Sequence, residues 1–424
     1  MLIRLSFRPG VAASAVICFL SLFSTTVVAE SVEHMLYSFS DCAVPYAPVI
    51  ADGSGNLYGT TYGGGAYGMG CVFKLSLNQD GSWSETNLYS FDGTIGNQPM
   101  SPVVFDSSGN LYGTATGGGP YGNGVVFELS PSANGEWTQR ILHNFGGAGD
   151  GSYPLDLTFD QDGNIFGTTL YGGTENGGIV YKLSRDKDGW TETILRSFPG
   201  DGMNGCQRWQ ACNPGGGVVL GPDGTLYGTS FFGGTQNIGT AFELSPRKNG
   251  TYRERIIYSF HGTDGAGPDS TLILDSRRNL YGTTISGGNL TCDPPYGCGT
   301  VFQLTSTPKS TWSEHVLLAL DDNTGNLAWG PVVFDRKGNL YGMADTGVAG
   351  SGMNGSVFKL TPNSDGSWAL TVLHKFPFYS RQDGRAPVGI TLVRGKLLGT
   401  TWSGGENDVG TLFEIDLRGR DIGN

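Results

Sequence analysis

GNLYGTTYGGGAYGMGCVFKL, residues 55–75, returns six more times along the chain, with copies opening at 109, 163, 224, 278, 338 and 395. The motif aromatic falls at Tyr58, Tyr112, Phe166, Tyr227, Tyr281 and Tyr341, with Leu398 in the last copy, so the period runs 54, 54, 61, 54, 60 and 57 residues. Periods of that size suit a propeller blade better than a solenoid coil. Each unit also divides into four strand-like pieces. An apolar piece such as PVVFD (102–106) turns through D-x-x-G-N into NLYGTT, a Gly-rich loop leads into VFEL, and a polar D-G turn leads into a strand such as WTETILRSF (190–198).

The ends of this pattern indicate closure. The last unit stops after Leu412-Phe413-Glu414-Ile415 with no fourth strand, while His34-Met35-Leu36-Tyr37-Ser38-Phe39 is a fourth strand with no unit before it. A ring that borrows its missing strand from the opposite terminus leaves no unpaired blade edge. The expected fold is therefore all-β, a seven-bladed β-propeller of four-stranded blades closed by an N-terminal strand. Its units run about 40–91, 92–145, 146–198, 199–260, 261–320, 321–376 and 377–417 plus 34–39, within a single domain spanning 30–424. Gly59 and its counterparts sit inside strand two, where a glycine implies close approach of a neighbour, expected here to be the backbone of the next blade. Polar residues at Lys74, Glu128, Lys182, Glu243, Gln303, Lys359 and Glu414, between apolar neighbours, give strand three its period-two alternation.

Composition agrees and excludes several classes. Seventy glycines in 424 residues with 15% charged residues are unlike an ordinary enzyme, and 38% hydrophobic residues without a Gly-X-Y triplet exclude collagen and disorder. A net charge of -12 speaks against a nucleic-acid partner. Residues 1–29 read as a signal peptide, with Arg4 and Arg8 before the apolar run Val11 to Phe23 and cleavage before Glu30; the mature chain then carries -14, no membrane segment, and a secreted or periplasmic address. Six cysteines remain after cleavage. Spacing favours Cys206 with Cys212 and Cys292 with Cys298, which leaves Cys42 with Cys71. No C-x2-C pair exists and the five histidines are scattered singly, so neither metal nor cofactor is expected.

The quoted motif resembles the consensus of the Gloeo/Verruco repeat of exported bacterial proteins. The resemblance covers nearly all of 34–415; it implies no established activity and supplies no catalytic residues. Its anchored members carry varied C-terminal anchors, whereas Arg418 to Asn424 here is polar. The D-G-x-W corners (Asp80 to Trp83, Asp188 to Trp190, Asp365 to Trp368) are similar to a shortened Asp-box of sialidase-type propellers, a fold staple there. D-x-x-G segments such as Asp160 to Asn164 read as Asp-capped type I turns ahead of calcium loops.

Positions that fail to repeat point to function. Loops from strand four to the next strand one, and from strand two to three, share one face that takes every insertion, including 200–216 and 289–299, and every mature cysteine falls on it or at its edge. The opposite turns are monotonous. Loops diversified on a constant scaffold suit recognition. The variable face collects Tyr62, Trp209, Phe231, Trp329 and Trp402, with Asp345 at the same strand-two exit and Tyr153, Tyr296 and Tyr379 nearby. Asp92, Asp150, Asp264, Asp322 and Asp383, in the connections after strand four, are expected to rim the channel. Aromatic faces beside carboxylates suit sugar rings and cationic groups. The reading is a monomeric, non-catalytic binder of a glycan or protein partner. Two alternatives stay open: a carbohydrate-active hydrolase or lyase using a carboxylate pair at the channel mouth, and a structural cell-surface protein.

Overall fold

The computed structural model describes residues 33–200, 206, 210–307, 311–347, 352–378 and 383–417. Those residues form seven antiparallel sheets and no helix, arranged as a seven-bladed β-propeller. Blade 2 shows the plan: a short inner strand Val104–Phe105, then Leu111–Ala115, Val125–Pro131 and the outer strand Trp137–Asn144, paired in that order. Blade 7 takes its outer strand from the other end of the chain. Glu33–Ser38 pairs antiparallel with Thr411–Asp416, with His34 opposite Glu414 and Met35 opposite Phe413.

The repeated residues turn out to be joints. Phe127 of blade 2 is fully buried, and a Cβ on Gly113, its cross-strand partner, would lie 2.6 Å from the Phe127 ring. The same holds for Gly59 under Phe73 at 2.6 Å. The expectation of a close neighbouring backbone is therefore corrected: the strand-two glycine clears room for the strand-three ring of its own blade. That ring in turn receives, edge-on, the last aromatic of the preceding blade, Phe39 on Phe73 at 5.0 Å and Phe91 on Phe127 at 5.3 Å. Phe376 on Phe413, at 5.1 Å, carries the same joint into blade 7.

On the constant face, the corner tryptophan of blades 2, 3, 5 and 6 packs against the motif tyrosine of the blade before it. Examples are Trp137 on Tyr58 at 6.3 Å and Trp190 on Tyr112 at 6.4 Å. The D-x-x-G turns serve the same joint. Asp52 Oδ1 accepts the backbone N–H groups of Ser54 and Asn56, and its Oδ2 accepts from the Asn56 amide and from the Tyr58 hydroxyl. A carboxylate engaged four times by its own turn is a cap.

All three expected disulfides form: Cys42–Cys71, Cys206–Cys212 and Cys292–Cys298. The first ties the innermost strand of blade 1 to its third strand; the other two close six-residue separations in the variable loops. By loop entropy the long one contributes up to about 3–4 kcal/mol and each short one about 2 kcal/mol.

Candidate functional site at the channel mouth

Each inner segment carries an unusual backbone. The residue before its proline, or before Ala328 in blade 6, has a left-handed conformation, at Val44, Gln98, Tyr153, Asn213, Gly267, Leu327 and Ala386, with φ between 53° and 62°. Six of the seven are not glycine, and Val44 is β-branched, so the conformation is imposed by the surroundings. The cause is an inter-blade hydrogen bond. Val44 N–H donates to the Val409 carbonyl at 2.7 Å, Gln98 to Met69 at 2.8 Å, Tyr153 to Asn123 at 2.9 Å, Gly267 to Ile238 at 2.7 Å and Leu327 to Cys298 at 3.2 Å. The proline that follows in six blades seats on a glycine of the preceding blade. Pro99 lies 2.7 Å from where a Cβ of Gly70 would stand, a place no side chain could share.

Below this ring, threonines stitch each second strand to the next blade's first. Thr60 donates to the Ser101 carbonyl, Thr114 to Leu155, Thr168 to Gly216, Thr229 to Ser270, Thr283 to Gly330 and Thr400 to Ala47, at 2.7–3.2 Å. The seventh position is Met343, so the seam between blades 6 and 7 lacks that bond.

These two devices turn the residues after the prolines toward the axis. They enclose a cavity of about 450 Å³ lined by Tyr46, Met100, Tyr153, Leu170, Trp329, Trp402, Asp156, Asp269 and Asp345, among others, and, among the described residues, by no lysine, arginine or histidine. Its size falls within the usual ~300–1,000 Å³ of small-ligand sites. Tyr46 stands 6.3 Å from Trp402 and 6.2 Å from Tyr62, ring to ring.

Three carboxyl groups face this space while protein surrounds it. Burial raises Asp156, although its Oδ2 accepts a 2.6 Å hydrogen bond from the Thr271 hydroxyl. Burial, and then the charge of Asp156, holds Asp269 well above the ordinary carboxyl range. Asp345 is pushed up to about 7 by burial, and its Oδ1 is buried with no hydrogen-bond partner. Burial first, and the nearby Asp345 second, raises the Tyr46 hydroxyl to about 12. A group near 7 can both donate and accept a proton at neutral pH.

Raised carboxyls make stability fall with pH. Asp345, with Glu33 and Glu314 on outer strands, has its folded value at about 7, so each group's folded state holds a proton that the unfolded chain releases from about pH 4 upward. The folded protein then binds more protons across about pH 4–7, and stability is lost as pH rises through that window. Thermal melts should show a midpoint a few degrees higher at pH 5 than at pH 8; an equal or rising midpoint would contradict the assignment.

Of the residues expected at the site, Trp329 and Trp402 line the cavity and Tyr62 borders it, its hydroxyl accepting from the Gln98 amide at 2.7 Å. Phe231 instead packs on Phe232 at 4.8 Å. Trp209 and Tyr379 lie outside the described residues. The aspartates do not rim the channel. Asp92 caps its own turn through Thr94 and Ile95, Asp150 meets His143 and Gly146 N–H, and Asp264 accepts from the Tyr258 hydroxyl at 2.6 Å. Asp383 acts on Glu33 of the outermost strand, and Asp322 is solvent-exposed. They follow strand four within a few residues, and strand four is the outer edge of the blade. Of the acids that do face the channel, Asp345 follows the second strand of blade 6, while Asp156 and Asp269 lie on or just beyond the proline-led inner segments.

The repeat architecture matches the Gloeobacter/Verrucomicrobia repeat over residues 21–211 and 206–413. The chain belongs to that family. No curated protein sequence matches this Gloeobacter/Verrucomicrobia repeat protein. Among solved structures, the family member is similar to an extracellular domain of a one-component system from B. thetaiotaomicron, at 10% identity and TM-score 0.54, over 90% of this chain but only 39% of that one. It is similar to an ulvan lyase of polysaccharide lyase family PL25, at 9% identity and TM-score 0.54, over 91% of this chain and 96% of that one. A gluconolactonase from Xanthomonas campestris aligns at 14% identity and TM-score 0.43, over 91% of this chain and 89% of that one. Identities this low establish for the repeat protein a shared fold. Its three disulfides are those of an exported protein, and no helix among its described residues is long and apolar enough to cross a membrane.

Proposed function

We propose that the propeller is a binding protein that takes a small saccharide, neutral or amine-bearing, into the mouth of its channel, either free or as the end of a larger glycan. The observation that carries this reading is the lining: Trp329, Trp402 and Tyr46 stand with the carboxyl of Asp345 around a cavity that no lysine, arginine or histidine lines among the described residues. Ring faces stack on the apolar faces of sugars and hold ammonium groups, while the carboxyl supplies a directed acceptor. A net charge of -12 disfavours polyanions. In this reading residues 1–29 are a leader that is removed, and N-terminal sequencing of the exported protein should begin at Glu30.

Glycan arrays followed by calorimetry test the site. The double variant Trp329→Ala, Trp402→Ala should weaken the strongest array ligand by at least ~30-fold, the loss expected of two aromatic anchors that a bound ligand covers. Asp345→Asn, which keeps shape and removes the charge, should weaken amine-bearing ligands more than neutral ones. Undiminished binding by the double variant would place the site elsewhere.

A catalytic reading has one observation of its own: burial, and then the charge of Asp156, raises Asp269, so that a protonated carboxyl stands near another carboxyl in the same cavity. Such a pair could serve as acid and base on a glycan. Turnover of an array ligand, abolished in Asp156→Asn and Asp269→Asn, would favour it over binding alone.

A further inference from the structure

At the outer edge of the ring, away from the channel, three side chains from two blades meet. His143 lies on the outer strand of blade 2, Asp150 on the connection into blade 3, and Glu192 on the outer strand of blade 3. His143 Nε2 is 3.2 Å from Asp150 Oδ2 and 3.7 Å from Glu192 Oε2, and the three donor atoms lie within 4.8 Å of one another. Ligands bound at ~2.0–2.1 Å to a tetrahedral zinc ion stand ~3.3–3.4 Å apart. Two of the three edges are close to that value without any rearrangement.

Comparison with the other blades shows what is particular here. A glutamate at this outer-strand position is usual, and its partner across the joint is normally a hydrogen-bond donor: Tyr37 donates to Glu85 at 3.0 Å, and Arg196 pairs with Glu254 at 2.6 Å. At the joint of blades 2 and 3 the donor is an imidazole, as it is at His374 in the same position of blade 6, and Glu192 Oε1, like Glu314 Oε1, is buried without a hydrogen-bond partner. Only here, among the described residues, do an imidazole and two carboxylates bring their ligand atoms within 4.8 Å of one another. Asp150 is held in place by the N–H groups of Gly146 and Gly151, at 2.9 and 2.6 Å. Tyr181 replaces the phenylalanine found at this strand-three position in the other six units, and its hydroxyl, fully buried and unpartnered, feels Glu192 and Asp150 as its strongest neighbouring charges.

We propose that His143, Asp150 and Glu192 bind a first-row divalent cation of the zinc type, which clips blade 2 to blade 3, with water completing its coordination. One imidazole nitrogen with two carboxylate oxygens suits such borderline ions, whereas magnesium and calcium favour oxygen ligands alone. The imidazole would bind in its neutral form, so the clip strengthens as pH rises from 5 to 7.5.

The full-length mature protein, stripped with chelator, would be titrated with Zn²⁺ by calorimetry and melted with Zn²⁺, Mg²⁺ or no metal. The expected result is one zinc per chain, a melting temperature raised by Zn²⁺ and not by Mg²⁺, and visible absorption bands of a low-symmetry four-coordinate site on loading with Co²⁺. His143→Tyr installs the donor used at the Tyr37 and Tyr258 joints, so it should fold while losing at least ~10-fold in zinc affinity. Glu192→Gln, which keeps a polar group of the same size, should lose a similar factor. A parent protein that shows no zinc-dependent shift, or a shift retained in His143→Tyr, overturns the proposal and leaves the trio as an inter-blade hydrogen-bonded joint. Neither result bears on the channel-mouth ligand, which shares no residue with this trio.

Discussion

Removal of residues 33–39 should lower the melting temperature by more than about 5 °C and broaden the transition, because the strand holds the two ends of the ring together. Its backbone satisfies the free edge of Thr411–Asp416, from Glu33 opposite Ile415 to Ser38 opposite Thr411. Its side chains matter as much. Phe39 is fully buried against Phe73 of blade 1, with Leu36 and Tyr37 packed on the same cluster. Truncating a buried phenylalanine costs about 3–5 kcal/mol, and a domain of this length loses about 1 °C per kcal/mol at an unfolding entropy of ~2.1 cal/mol/K per residue. Phe39→Ala alone should therefore account for a large part of the loss. A synthetic peptide covering 33–40, added to the truncated protein, should restore part of it by pairing with the vacated edge. An unchanged melting temperature after truncation would show that the remaining joints, Val44 to Val409 and Thr400 to Ala47, close the ring unaided.

Gly113→Val should cost about 3 kcal/mol or more, the upper end of overpacking penalties in a rigid core. A Cβ at that position would lie 2.6 Å from the Phe127 ring and 3.2 Å from a Val103 methyl, and Phe127 is sealed between its own blade and Phe91 of the preceding one. The ring cannot move without opening the joint between blades. Gly53→Ala, at a turn where an added Cβ meets nothing within 4 Å, should change stability by less than ~0.5 kcal/mol. Combining Gly113→Val with Phe127→Leu should recover part of the loss, since the two positions share one volume. Equal stability of the Gly113→Val and Gly53→Ala variants would remove the steric explanation for the repeated glycine.

The fold was legible because its joints are built from residues that recur: Gly59 with Phe73, Tyr58 with Trp137, Asp52 with Asn56. A position repeated seven times must do the same thing seven times, and spacing reports that directly. Radial position is not encoded in the same way. Asp92 and Asp264 lie in loops of the correct face, which the sequence reads as the channel rim, yet they leave strand four and stay at the outer edge. The channel acids were harder to see. Asp269 directly follows Pro268, so the proline-led segments, with Pro45, Pro99, Pro154, Pro214, Pro268 and Pro387, held a signal for the lining that composition alone did not expose. Asp156 has no acidic counterpart at the same position of the other units, so repetition carries no signal for it. Trp329 and Trp402 were found by the opposite logic: large rings outside the repeated framework, and still 38% and 48% exposed.

The hydrogen bonds from Gln98, Tyr153, Gly267 and Leu327 reach only the closing residues of each second-to-third-strand loop. The start of each loop is pinned to the inner connection of its own blade, as Gly65 is to Asp41, Gly173 to Asp150 and Gly288 to Gly262, so the tip between the two anchors is the part left to vary. The loop of blade 5 shows the effect: it carries an insertion bridged by Cys292 and Cys298, and Leu327 nonetheless meets the Cys298 carbonyl as its counterparts meet theirs. Length and chemistry can therefore change at the tips without altering the diameter of the opening beneath them. One frame can carry many different crowns, and lineages sharing the repeat can diverge in what they capture while inheriting the same aperture.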